Sequence, residues 1–171
     1  MIESYLRGSH FHVRNIVEAE FEEVSSVLKE AALWLKSEGQ EMWKEDQISI
    51  ARLYANYKTE EIYIGRLGGM SAAVMILQEE DAFFWPNAIR NESFYVHKLA
   101  IRRDFAKTGL SNEMINWAKA WARAKGKKYL RLDCAADRPK LCGFYEKNGF
   151  KRIGETILFD KYPTAFYEFE A

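Results

Sequence analysis

The stretch YVHKLAIRRDFAKTGLSNEMI, Tyr95–Ile115, decides the fold. It opens as an apolar, strand-like run and passes through a charged loop. From Leu110 the residues Leu110, Met114, Trp117, Ala118 and Trp121 recur at helical spacing until Gly126. A helix entered directly from a strand presents its first N–H groups, which lack intrahelical acceptors, to the loop, together with the positive end of its dipole. Phe105 to Asn112 is therefore a candidate anion site, with Gly109 allowing close backbone approach and Lys107 adding positive charge. Neither a Walker motif nor a three-glycine dinucleotide fingerprint is present, so on local grounds an ordinary strand-to-helix loop fits as well.

The flanks extend the pattern on both sides. Downstream, KYLRLDC alternates as a strand, and Pro139 suits the first turn of a helix carrying Leu141, Phe144 and Tyr145. Asn148-Gly149 ends that helix, Phe150 opens another strand, and TAFYEFE alternates as a last one. Upstream, FHVRNIV reads as a strand, and Phe21, Val24, Leu28, Ala31 and Leu35 predict a helix over 18–38, closed by Gly39. A weaker helical pattern covers 45–57; EIYIGRL and MSAAVMIL follow as strands about the hairpin pair Gly68-Gly69, and DAFFWPNAIRNE is a loop. The strands and helices from Ser93 onward form a βαβ unit, and the economical fold is α/β: a mixed sheet with helices on its faces, in one domain spanning 1–171.

Composition narrows the partners. With 25 Lys and Arg against 25 Asp and Glu, no whole-chain field favours nucleic acid or an anionic membrane. No apolar run approaches the roughly 20 residues that span a bilayer, and MIESYLRGSHF lacks the apolar middle of a secretory signal, so a cytoplasmic protein is expected. Cys134 and Cys142 are too few for a disulfide framework or a zinc pattern and are read as reduced packing residues; no metal is expected. RGSH at Arg7–His10 resembles an expression-tag remnant and carries no functional weight.

LDCAADRPKLCGFYEKNGFKRIGE, Leu132–Glu155, follows the loop at a distance of one helix and one strand. With YVHKLAIRRDFAKTGLS before it, it resembles the GNAT superfamily of acyl-CoA-dependent N-acyltransferases. The resemblance implies a mixed, mainly antiparallel central sheet flanked by helices, with a βαβ half that binds acetyl-CoA as cosubstrate. It implies that the backbone of Ala106, Lys107, Thr108, Gly109, Leu110, Ser111 and Asn112 holds the pyrophosphate, and that Leu99, Ala100 and Ile101 pair with the pantetheine arm. The family's loop is Arg/Gln-x-x-Gly-x-Gly/Ala. Here Ala106 stands at the polar position and Ser111 at the second small one, which implies weakened or rearranged contacts that Lys107 offsets. Arg138 replaces a frequent asparagine seven residues before Tyr145. Tyr145 aligns with the tyrosine that protonates the departing coenzyme A thiolate.

A base is also required to take the acceptor's proton. His97 is the first candidate and Glu92 the second. A packed histidine and a core tyrosine are the ordinary readings of such residues on their own. Trp34, Trp43, Tyr54, Tyr57, Phe83, Phe84 and Trp85 read either as walls of an acceptor pocket or as core and homodimer surface. Asp137, before Pro139, is the expected cap of the following helix. The implied function is direct acetyl transfer to a primary amine of a small molecule or peptide. The alternative is a catalytically weak module of the same fold that senses acyl-CoA or a metabolite; an NTP-binding protein is disfavoured by the missing Walker residues.

Overall fold

The computed structural model describes residues 11–171; Arg7–His10 lies outside them. Seven strands hydrogen-bond in the order β1-β2-β3-β4-β5-β7-β6. They are β1 Phe11–Asn15, β2 Ile62–Leu67, β3 Met70–Gln78, β4 Ser93–Ile101, β5 Tyr129–Ala135, β6 Lys151–Leu158 and β7 Tyr162–Glu170. The helices are α1 Phe21–Ser37, α2 Ile50–Asn56, α3 Leu110–Ala124 and α4 Pro139–Lys147. β4 runs parallel to β5 with α3 between them in sequence, whereas the pairs β1–β2, β2–β3, β5–β7 and β6–β7 are antiparallel. Among the described residues no helix is long and apolar enough to cross a membrane.

The chain forms two compact units. Among the described residues the first is 11–76 with 98–114, and the second is 77–97 with 115–171. In the first unit, Phe21, Val24, Val27, Leu28 and Ala31 are buried at the expected helical spacing and join Ile62, Ile64, Val74 and Ile76 of the strands in one core. Gly39 ends α1: its N–H donates to Lys36 O at 3.1 Å and the Gln40 N–H to Leu35 O at 2.8 Å, the paired bonds of a left-handed helix stop. Gly65 permits a close approach on β2, since a Cβ there would lie 2.9 Å from Met114 Sδ.

The helix expected over 45–57 is broken in two. A 3-10 turn, Glu45–Ile48, gives way to α2 because Ser49 is extended and its Oγ accepts the Arg52 N–H at 3.2 Å, so a capping bond overrides the apolar period. α3 also differs in its face. Leu110, Met114, Ile115, Ala118 and Ala122 are buried, while Trp117 and Trp121 are half-buried and stack on each other at 5.3 Å. Arg138, not Asp137, occupies the cap position of α4, with no side-chain capping bond; Pro139 at the first helical position has no N–H to leave unsatisfied.

A charged clamp ties β1 and β2 to the start of α1. Glu20 accepts from Arg14 at 2.8 Å and from Arg66 at 2.7 Å, and Arg66 also reaches Glu23 at 2.8 Å. The hydrogen bond from Arg14 is the main cause that holds the Glu20 carboxyl down, from 4.5 to about 2, against the opposing effect of burial. A depressed carboxylate stabilises the fold above its unfolded pKa and loses that contribution as the pH falls through its folded one. Thermal melts should therefore drop between pH 4.5 and 2, and Glu20→Gln should lower stability at pH 7 while flattening that drop. An unaltered slope in the variant would rule the clamp out as its source.

Candidate functional site

The loop after β4 belongs to the first unit. The Arg102 N–H donates to Ala72 O at 2.8 Å, its guanidinium donates to Ser71 O at 2.9 Å, and the Arg103 N–H donates to Glu30 Oε2 at 2.9 Å. The Arg103 guanidinium lies 3.6 Å above the Trp34 ring, which assigns that tryptophan to loop support. A 3-10 turn, Arg103–Phe105, follows, and the Ala106 N–H is used to close it on Arg103 O at 3.0 Å. Thr108 Oγ1 donates to Phe105 O.

Two residues of this loop are left-handed, Lys107 at φ 59° and Gly109 at φ 83°. Glycine adopts this region freely; lysine does so at a cost of about 1–2 kcal/mol. Lys107 therefore performs a turn that the sequence pattern would assign to glycine, and no signal in the sequence marks it. The Glu113 N–H donates to Gly109 O at 3.1 Å. Helix geometry leaves the amides of Leu110 and Ser111 ahead of that bond without an intrahelical acceptor. The loop can present main-chain donors to an anion although it has only one glycine.

Leu99, Ala100 and Ile101 complete β4 just before the loop, with Ala100 in the core. Lys98 precedes them at φ 48°, a left-handed residue inside a strand, which bends the strand and re-aims the following backbone groups. Its ammonium lies 5.9 Å from each of the Trp43 and Tyr57 ring centroids. Trp43 also lines a cavity of about 310 Å³ with Leu33, Ile48 and Lys36.

The other candidates lie in the second unit. Pairing of β4 with β5 covers three residue pairs, Ser93↔Tyr129 to Tyr95↔Arg131, whereas β5 pairs with β7 along its whole length to Ala135. His97 is thus beyond the β4–β5 ladder. Its Nε2 lies 3.7 Å from Asp81 Oδ2, and Asp81, His97 and Asp133 bring one polar atom each within 4.8 Å of one another. Burial pushes the Asp81 carboxyl up, partly offset by the Phe84 N–H donating to it. Glu92 sits at the opposite end of β4, where it faces Lys128 at 3.8 Å and Arg131 at 4.0 Å. The structure does not bring Glu92 to His97. Phe84 and Trp85 pack on Phe166, with Trp85 also against Tyr95, while Phe83 and Tyr54 are exposed.

Tyr145 lies on the inner face of α4, 8% exposed, with Phe144, Phe150 and Tyr167 around its ring. Burial, reinforced by Cys134 and Asp133, pushes its phenol well above the ordinary range, so it stays protonated at neutral pH. Cys134 and Cys142 are free thiols 4.0 Å apart, and burial with the neighbouring Cys142 pushes Cys134 up to about 12. A thiol held that high is a poor nucleophile. Arg138 accepts the Cys142 N–H at 3.0 Å through its carbonyl at the start of α4.

A seven-stranded sheet that includes the parallel pair β4–β5, joined through a loop and α3, defines a mixed α/β protein. Residues 21–150 match the Acetyltransferase (GNAT) family, and the chain belongs to it. It is 29% identical to the uncharacterized N-acetyltransferase YesJ of Bacillus subtilis (strain 168), covering 96% of this chain and 97% of that protein. Among solved structures, a GNAT-family acetyltransferase from Listeria monocytogenes 4b F2365 superposes with a TM-score of 0.79 at 21% identity, covering 94% of this chain and 95% of that one. YncA from Salmonella typhimurium, solved with its cofactor acetyl-CoA, gives a TM-score of 0.70 at 11% identity, with coverage of 95% and 94%.

Proposed function

We propose that the whole chain, 1–171, acts as one N-acetyltransferase domain that moves the acetyl group of acetyl-CoA directly to a primary amine. The observation that carries this reading is Tyr145, a buried phenol held in its protonated form on α4. The main-chain amides of Lys107, Thr108, Gly109, Leu110 and Ser111 hold the pyrophosphate, with Asn112 beside them and the Lys107 ammonium adding charge. The Ala106 amide is already engaged with Arg103 O, so Ala106 contributes shape, not a donor. Leu99, Ala100 and Ile101 offer backbone groups to the pantetheine arm, and Arg138 offers a cation to a phosphate.

In the reaction the amine nitrogen forms a bond to the acetyl carbonyl carbon, and the carbon–sulfur bond breaks with its electron pair leaving on sulfur. One nitrogen proton passes to His97, the preferred base over Glu92, whose carboxylate faces two cations. The sulfur takes the Tyr145 proton, and solvent returns the proton held by His97 to the tyrosinate. No step passes through Cys134 or Cys142.

Purified protein titrated with acetyl-CoA, then mixed with a panel of amines while free thiol is followed, tests this reading. Saturable binding together with amine-dependent thiol release and an acetylated amine detected by mass is expected. Binding with no transfer to any amine would favour the sensing module, and no binding would remove the cofactor assignment.

A further inference from the structure

One oxygen of Asp81 has an evident structural task and the other does not. Oδ1 accepts the Phe84 N–H at 3.2 Å while the Asp81 carbonyl accepts the Trp85 N–H at 2.8 Å, so the residue starts the turn over 81–85. Oδ2 is fully buried and accepts no hydrogen bond, on a side chain only 9% exposed. A buried carboxylate oxygen left in this condition costs free energy that a chain has no reason to retain for a turn alone. The group facing it is His97 Nε2, at 3.7 Å. That separation is too long for a hydrogen bond and short enough to become one.

We infer that Asp81 is the positioning residue of His97: it keeps the neutral imidazole protonated on Nε2 and stabilises the imidazolium formed when His97 takes the acceptor's proton. The inference rests on the acetyltransferase reading for its role in turnover, although not for its test. With Nε2 carrying the hydrogen, the lone pair that acts as base lies on Nδ1. When that nitrogen gains the amine's proton, a cation faces the Asp81 carboxylate, and the pair closes into a charge-assisted hydrogen bond. The buried oxygen is satisfied in the protonated state of the base. The interaction is strongest after proton transfer, which is where stabilisation speeds the step.

Other charges face the same place. Asp133 of β5 is the third member of the cluster and adds negative charge on the same side. Arg131, two residues earlier on β5, is a cation already engaged elsewhere: it donates to Glu168 Oε2 at 2.8 Å and its Nη1 reaches Tyr95 Oη at 3.5 Å. Of the two carboxylates in the cluster, Asp81 is the one opposite Nε2.

The test uses the full chain with ¹⁵N-labelled imidazoles, with His97→Gln assigning the His97 signals among the three histidines. Neutral His97 is expected as the Nε2–H tautomer. Asp81→Asn keeps an oxygen for the Phe84 N–H, so the turn is retained, and thermal melting verifies the fold. In this variant the His97 titration midpoint is expected to fall by about one pH unit, with the acidic limb of the acetyl-transfer profile moving equally and acetyl-CoA affinity unchanged. An Nδ1–H tautomer, or a midpoint that moves by less than about 0.3 unit, overturns the inference. So does a chelator-treated protein whose His97 signals shift and are restored by Zn²⁺ alone, which would make the cluster a cation site. The NMR readout needs no turnover, so it stands or falls separately from any failure to find acetyl transfer.

Discussion

Replacing Tyr145 with Phe is expected to lower the single-turnover rate of acetyl transfer about 100- to 1,000-fold while acetyl-CoA affinity stays within about two-fold. The ring contacts with Phe144, Phe150 and Tyr167 survive the change, because only the hydroxyl is removed. In the proposed mechanism, what is lost is the proton that the departing thiolate takes. Without it the electron pair must leave as an anion in a site that burial has made unfavourable to charge, as the raised phenol itself records. The sign of the pH dependence follows. As a proton donor Tyr145 would act in its neutral form, and its pKa is raised above 10.0, so no loss of rate from this group is expected on raising the pH from 7 to 9. Rapid-quench measurement with saturating amine separates the chemical step from product release; an unchanged single-turnover rate in the variant would remove Tyr145 from the mechanism.

The strand, loop and helix of Tyr95–Ile115 and the helix that carries Tyr145 were legible in sequence for a definite reason: each is written in consecutive residues. A strand, a charged turn and an apolar helical face in one run of 21 residues leave few arrangements for Tyr95–Ile115. α1 was legible for the same reason, since Phe21, Val24, Leu28 and Ala31 recur at helical spacing and are buried, with Leu35 half-buried at the helix end. The break at Ser49 was not, because two influences compete there: the apolar period runs on, and a single capping bond to the Arg52 N–H stops it. Lys107 was invisible because lysine carries no mark of a left-handed backbone. Asp81 is the clearest omission. It reads as a turn former within DAFFWPNAIRNE, and it is one, but its second oxygen faces His97, sixteen positions later in the chain. No local pattern encodes a contact between a loop and a later strand.

Tyr167 packs against Tyr145 in the second unit, so a stability role there can be separated from the proposed chemistry. Its side chain is fully buried on β7, paired in register with Leu132 of β5 and Arg152 of β6, and its ring centroid lies 6.2 Å from that of Tyr145. Truncation to Ala removes a large ring from a closed core and should cost about 3–5 kcal/mol, read as a lowered urea midpoint with unchanged slope. The hydroxyl is a smaller matter. Arg152 Nε and Nη2 each donate to it at 3.1 Å, and it donates to Glu146 Oε1 at 3.4 Å. Because Arg152 and Glu146 lie toward solvent, water can replace the phenol, and Tyr167→Phe should cost only about 1 kcal/mol. The pair of variants therefore separates two roles. If the ring at 167 holds Tyr145 in place, Tyr167→Phe retains the single-turnover rate and Tyr167→Ala loses it even at temperatures where the variant is fully folded. Equal rates in the two variants would show that Tyr145 is positioned by Phe144 and Phe150 alone, and that Tyr167 serves stability without touching the chemistry.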